Sequence, residues 1–206
     1  MEESITVIEI PGLIQNQIVK KITFRNEGLT IQKLQSFDPE LNVPAENITG
    51  FRFGVNSING YMFTFGRQYL IQVQDVQNKI TAIKLNSFYG VRRKAYSEIW
   101  SAIIYQLWNN YFVYSYNYYY DLYTIKQEFD LTGIKFHLFG ISWEGVSMYW
   151  DEIALSNYRT YFMIHHKKDL KKTKSCSFQN DWNALILQSL LKRIIQEHNT
   201  YRNPVV

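Results

Sequence analysis

Cysteine is all but missing from this chain: Cys176 stands alone among 206 residues. One thiol closes no internal disulfide and builds no zinc site by itself, which excludes the disulfide-stapled class and fits a reducing compartment. An apolar leader is missing as well. Met1-Glu-Glu-Ser-Ile5 opens acidic and reaches Pro11-Gly12 without a hydrophobic stretch, so no secretory signal is expected. The charge-free run from Ile99 to Tyr120 is just long enough to cross a bilayer. It carries Gln106, Asn109, Asn110, Asn117 and seven tyrosines, which are poor tenants of hydrocarbon, so no transmembrane span is expected and the chain is placed in the cytoplasm. Catalytic signatures are also lacking: there is no phosphate-cradling glycine loop, no Gly-x-Ser-x-Gly and no His-Glu-x-x-His. Asp151-Glu152 is a carboxylate pair, but neighbours on a strand diverge rather than share a proton. Cys176 is read as a small core residue. No catalytic residue, metal site or cofactor is expected.

What is present is apolar and aromatic. The composition is 46% hydrophobic and 17% aromatic, with 16 tyrosines, and the net charge is +4. Tyrosine suits half-buried strands and interfaces, where a large ring is covered and its hydroxyl finds a partner. Split at residue 112, each part holds 11 Lys+Arg and 9 Asp+Glu, so neither is a polybasic arm. The length allows one large domain or two small ones.

Patterning favours two. Alternating or β-branched runs predict strands over 4–10, 18–24, 29–34, 45–53, 61–65, 69–73 and 80–85, with Pro11-Gly12, Asn26-Glu-Gly28 and Gly66-Arg67 as breaks and a loop through Asp38-Pro39 to Pro44. The period then changes. Trp100, Ile103, Ile104, Leu107, Trp108 and Tyr111 form one apolar helical stripe. After the tyrosine-rich run Tyr111–Tyr123 the programme repeats, with strands expected over 134–143, 146–149, 158–166 and 173–178. Asn180-Asp181 is the expected helix start, and Leu187, Leu190, Leu191, Ile194, Ile195 and His198 form a second stripe. Three further blocks match in order: Glu27-Gly28 to Gln32 with Glu144-Gly145 to Tyr149, Ala45–Ile48 with Trp150–Ile153, and Tyr69–Val73 with Tyr161–His165. We read an internal duplication, the second copy short by one or two strands, one of which Tyr118–Leu131 could supply. The expected boundaries are 1–112, a junction at 113–123, and 124–206.

A strand-rich body with a glycine-led hairpin, an acidic residue before Ile at a strand start and a closing helix resembles the pleckstrin-homology-like (PH-like) fold, and in particular the bacterial tandem PH-like domain proteins. The resemblance implies an α+β, mainly β chain of two partly open barrels, each closed by its C-terminal amphipathic helix. It implies recognition of protein, peptide or phosphoinositide, since one superfold hosts all three. The phosphoinositide subset carries Lys-x(n)-Lys/Arg-x-Arg across its first hairpin. This chain has Lys20, Lys21 and Arg25 before that turn and Lys33 after it, and Lys135 alone in the second hairpin, an incomplete version.

The densest chemistry lies in His165–Lys174, with five lysines and two histidines. Lys167, Lys168, Lys171, Lys172 and Lys174, with His166, form a candidate cationic tip for an acidic partner or phosphate; the plain alternative is a solvated turn whose lysines blunt a sheet edge. The paired histidines point to opposite faces, so they do not share a metal. Arg92-Arg-Lys94 stands at the start of the first helix, where the dipole disfavours cations; it is read as a flexible loop in water, with anion binding as the alternative. Tyr114, Tyr116, Tyr118 and Tyr120 alternate along a segment read as extended and are assigned to inter-domain packing. Lys and Arg are absent from Tyr111–Tyr123, which weighs against stacking of nucleic-acid bases there. The expected function is non-catalytic binding or scaffolding, with a protein partner first and an anionic membrane surface or phosphorylated ligand second. An enzyme with an inter-domain site and a nucleic-acid-binding module are the alternatives.

Overall fold

A computed structural model describes residues 5–14, 17–34 and 39–202; Ser4 and the Asp38 side of the expected loop lie outside them. The chain is mainly β and divides into two compact units, Met1–Val113 and Tyr114–Val206. The stretch expected to be a separate junction therefore falls almost wholly within the second unit.

The first unit opens with a four-stranded antiparallel meander, β1 (Thr6–Pro11), β2 (Ile18–Arg25), β3 (Gly28–Lys33) and β4 (Leu41–Pro44). A 3-10 turn at Ala45–Asn47 leads to a three-stranded meander, β5 (Ile48–Asn59), β6 (Thr64–Asp75) and β7 (Ile80–Phe88). Helix α1 (Arg93–Leu107) packs on β6, β7 and β1. Alternation is cleanest in β7, where Thr81, Ile83, Leu85 and Ser87 are buried and their neighbours through Asn86 are exposed; one face covers the core and the other meets water. Two expectations are corrected. The loop before Pro44 contains β4. The predicted strands at 61–65 and 69–73 are joined in one strand, β6, which starts only at Thr64, so Tyr61–Phe63 lie in the turn before it; Gly66 pairs with both Ile58 and Phe88. Gly66 is no turn: a Cβ there would sit 2.7 Å from the Ser87 carbonyl oxygen, so close strand approach is what requires glycine.

The second unit takes all of α2 (Val113–Thr124) but its first residue, then runs β8 (Phe129–Leu131), β9 (Ile134–His137), β10 (Gly140–Trp143) and β11 (Val146–Tyr149) as a second four-stranded meander. A 3-10 turn at Trp150–Glu152 leads into β12 (Ile153–Asn157), β13 (Tyr161–His166) and β14 (Thr173–Ser177), and α3 (Ala184–Arg202) closes the unit. The single strand expected over 134–143 is a hairpin turning at Leu138-Phe139, so this unit is not short: among the described residues it has seven strands, as does the first. No sheet closes into a barrel among the described residues. Ala184, Ile186, Leu187, Leu190, Leu191 and Ile194 bury one side of α3. That helix starts later than its expected cap. Asp181 accepts the Ser177 N–H at 2.7 Å instead, closing a turn ahead of the helix.

The units share more than strand count. In each, a glycine opens the third strand of the first sheet, and the residue before it accepts a hydrogen bond from the first residue of the 3-10 turn: Ala45 N–H to Glu27 O at 2.8 Å, and Trp150 N–H to Phe139 O at 3.1 Å. Gly28 and Gly140 are thus equivalent in place. The expected pairing of Glu27-Gly28 with Glu144-Gly145 is one hairpin out of step, because Glu144-Gly145 turns between the third and fourth strands. The block pairings at the 3-10 turns and at β6 with β13 fall on corresponding elements.

The extended course expected for Tyr114–Tyr120 is replaced by helix α2. On a helix, residues two apart diverge and residues four apart align. Tyr116 and Tyr120 accordingly meet α3 while Tyr114 and Tyr118 are exposed. Tyrosine's preference for strands reflects the surface it lands on rather than an intrinsic demand of the backbone, and here α3 supplies that surface. Tyr120 donates to Glu197 at 2.7 Å, Tyr123 Oη and His198 Nε2 are 2.8 Å apart, and the Arg193 guanidinium lies 3.4 Å over the Tyr120 ring. The bond to Glu197 raises the Tyr120 phenol above its ordinary value, and Tyr116 raises Arg193 further above its own. These tyrosines stitch α2 to α3 within the second unit.

Candidate functional site

The basic stretch forms the turn between β13 and β14, and its geometry is set by His166. Nδ1 of His166 accepts the backbone N–H groups of Lys168 and Asp169, both at 2.9 Å. An acceptor Nδ1 leaves the proton on Nε2, which faces Glu152 Oε1 at 3.4 Å. Glu152 is fixed from its other side, because its Oε2 accepts the Tyr149 N–H at 3.0 Å. That backbone bond, aided by His166 and Lys172, holds the Glu152 carboxyl below the usual carboxylate range. Asp169 finishes the turn, accepting Lys171 N–H on its side chain at 3.0 Å and Lys172 N–H on its carbonyl at 3.1 Å. The tip is therefore braced by an imidazole and two carboxylates.

The six sequence-predicted residues divide by role. Lys167 Nζ donates to the Asp151 carbonyl at 2.6 Å, and Lys174 Nζ pairs with Glu144 at 3.1 Å. These two lysines and His166 build the scaffold. Lys172 is half-buried and acts on Glu152. Lys168 and Lys171 are exposed at the tip, flanking exposed Leu170, and neither ammonium has a side-chain partner among the described residues. His165 turns elsewhere, with Nε2 at 3.0 Å from Ser156 Oγ. Lys135 lies on β9 opposite Asp130 and Ser142, apart from this turn.

One arrangement left no trace in sequence spacing. His137 joins Glu128 Oε1 to Nδ1 at 3.1 Å and Ser142 Oγ to Nε2 at 2.7 Å. Carboxylate, imidazole and hydroxyl are linked in the order that activates a serine nucleophile. His137 borders two small cavities of about 220 and 190 Å³, but Ser142 and Glu128 line neither. The bonds tie the β9–β10 hairpin to the segment before β8. Cys176 lies in the core, where burial pushes its thiol up to about 12; a thiol so held is a poor nucleophile. One face of the Tyr120 ring is covered by Arg193, so that ring does not offer it to a base.

No protein-family model matches the chain, and no curated protein matches it either.

Proposed function

We propose that the chain is a non-catalytic binding protein of two tandem PH-like domains that docks an acidic segment of a partner protein through the β13–β14 tip. Support for the duplicated PH-like reading comes from the shared order of four-stranded meander, 3-10 turn, three-stranded meander and helix, and from the matching places of Gly28 and Gly140. The observation that carries the binding reading is the tip itself. Two uncompensated ammonium groups stand on a turn whose backbone is pinned by His166, so little backbone freedom is lost when they meet carboxylates.

The test uses poly-glutamate as the acidic probe on the full chain. Binding should weaken with salt. Lys168→Glu with Lys171→Glu should weaken it by at least about tenfold, since each lysine near an anionic surface contributes about 1 kcal/mol. Lys167 is the wrong target, because its loss would release the Asp151 carbonyl and disturb the scaffold. Unchanged affinity in the double variant overturns the reading. Capture by phosphatidylserine vesicles but not by poly-glutamate, lost in the Lys168→Glu, Lys171→Glu variant, would instead assign the tip to an anionic surface.

A hydrolytic reading has one observation in its favour, the Glu128–His137–Ser142 chain. Because Ser142 lines neither neighbouring cavity, we expect a fluorophosphonate probe to leave it unlabelled in the intact protein. Stoichiometric labelling abolished by Ser142→Ala would replace the binding reading with acyl transfer.

A further inference from the structure

The hairpin joining β5 to β6 ends in an uncovered apolar tip. Tyr61, Met62 and Phe63 are 102%, 87% and 62% exposed, three large side chains in a row. No charged residue occurs between Arg52 and Arg67. Pairing of β6 with β7 stops at Gly66 and Phe88, so the tip projects beyond the third strand. It is also braced. Gly60 N–H donates to the Phe63 carbonyl at 2.8 Å, and Thr64 Oγ1 donates to Asn59 Oδ1 at 2.7 Å across the neck. The Phe63 ring meets Phe65 at 6.2 Å, and Phe65 in turn meets Phe88 and Tyr89 at 6.0 and 6.1 Å. Folding gains nothing from holding three apolar side chains in water on a stiffened mount.

Behind the tip stands positive charge. Arg67 lies four residues back along β6, about 13 Å at strand rise. The Tyr69 hydroxyl donates to the Arg93 carbonyl at 3.0 Å, which fixes the first turn of α1, with exposed Arg93 and Lys94, beside the same strand. Lys94 reaches Glu98 only at 4.0 Å, with both side chains largely in water, a pairing too weak to occupy it. The Arg92-Arg-Lys94 run stands at the helix start, as expected, but is not a flexible loop. Arg92 donates to the Leu13 carbonyl at 3.1 Å and the next two residues begin the helix. Aromatic and thioether side chains stand in front and long cationic side chains behind, at about 13 Å for Arg67 and about 20 Å for the strand level that holds the Arg93 carbonyl, the order in which an anionic bilayer interface presents hydrocarbon and charge. An apolar groove on a protein would leave the cationic collar unused.

We infer that the β5–β6 hairpin inserts Tyr61, Met62 and Phe63 into an anionic lipid bilayer while Arg67, Arg93 and Lys94 meet the headgroups. This anchor is separate from the lysine tip of the second unit. The test is co-sedimentation of the full chain with phosphatidylcholine vesicles with and without phosphatidylserine. The expected result is binding to the anionic vesicles only, reduced at least tenfold by serine at all three tip positions and by Arg93→Glu with Lys94→Glu. Tryptophan at Met62 should shift its emission to the blue on those vesicles. All substituted side chains are exposed, and an unchanged melting curve confirms that the variants fold. Absence of vesicle binding overturns the inference, as does binding that survives the triple serine variant. Binding lost only with Lys168→Glu and Lys171→Glu would overturn it while leaving the lysine tip in place. A tip variant that changes self-association but not vesicle binding would assign these side chains to a protein, which also overturns it.

Discussion

Alanine at Phe112 is expected to lower the free energy of unfolding by about 3–5 kcal/mol, the range for deleting a buried ring and leaving its space unfilled. The size of the effect follows from how the ring is placed. Phe112 is 1% exposed and stacks on Phe51, also 1% exposed, at a centroid distance of 4.0 Å. It reaches that position through a single π-helical turn at Trp108–Phe112 that follows α1. In an α-helix the residue after Leu107 on the buried face would be Tyr111; the wider turn brings Phe112 onto the same face as well. Tyr111 keeps its place, donating to the Arg25 carbonyl at 3.0 Å, and burial pushes its phenol up to about 12. Two consecutive aromatics thus enter one core. Phe51→Ala should cost a similar amount, and the double variant less than the sum, because both rings bound the same space. Phe112→Leu should cost less than about 1.5 kcal/mol. Urea unfolding of the full chain, followed by far-ultraviolet circular dichroism, measures all four. A loss below about 1 kcal/mol in Phe112→Ala would mean that the ring pair does not anchor this core.

The π-turn also shows where sequence periodicity stops being informative. The stripe from Ile103 through Leu107 to Tyr111 is legible because 3.6-residue spacing repeats without interruption. Phe112 falls outside that spacing, and only the bulge brings it in. The same limit hid α2, where tyrosines at every second position imitate a strand. Residues far along the chain, Arg193, Glu197 and His198, supply the contacts that make those positions helical. The β5–β6 tip was within reach: Asn59-Gly60 is a hairpin signal, outweighed by the β-prone run that follows it. The lysine tip could be located as a turn from composition alone. Which lysines remain available could not, because Asp151 and Glu144, which engage Lys167 and Lys174, come from the 3-10 turn and from the β10–β11 hairpin. The Glu128–His137–Ser142 chain is likewise a product of sheet register, which spacing in one dimension does not encode.

Alanine at Gly140 should be nearly as damaging as loss of the Phe112 ring, by about 3 kcal/mol, at the upper end for forced overpacking. Gly140 pairs with Tyr149 at the point where β11 turns into the 3-10 segment, so that strand's backbone passes directly over the glycine. An added methyl would collide with the Met148 carbonyl oxygen, and would lie 2.8 Å from the Met148 carbonyl carbon and 2.9 Å from Tyr149 Cα. None of these is the flexible end of a side chain, so relief requires parting the strands and losing the Trp150 N–H bond to Phe139. Gly28→Ala faces the same obstruction, from the Val43 carbonyl oxygen and from Pro44 Cα at 2.9 Å, with backbone strain added by φ +155°. Gly145 is the control. Its φ is +79° but nothing lies within 4 Å of an added Cβ, so alanine there should cost only about 1 kcal/mol of left-handed strain. The thiol of Cys176 reports opening of the second unit, since it is buried and its ionisation is pushed up to about 12. Disulfide-exchange reagents should react with it only through open states. Gly140→Ala should therefore speed labelling about a hundredfold, and Gly145→Ala no more than about fivefold, in proportion to the open population. Equal rates in the two variants would show that close backbone approach at this strand start is not what holds the hairpin to its 3-10 turn.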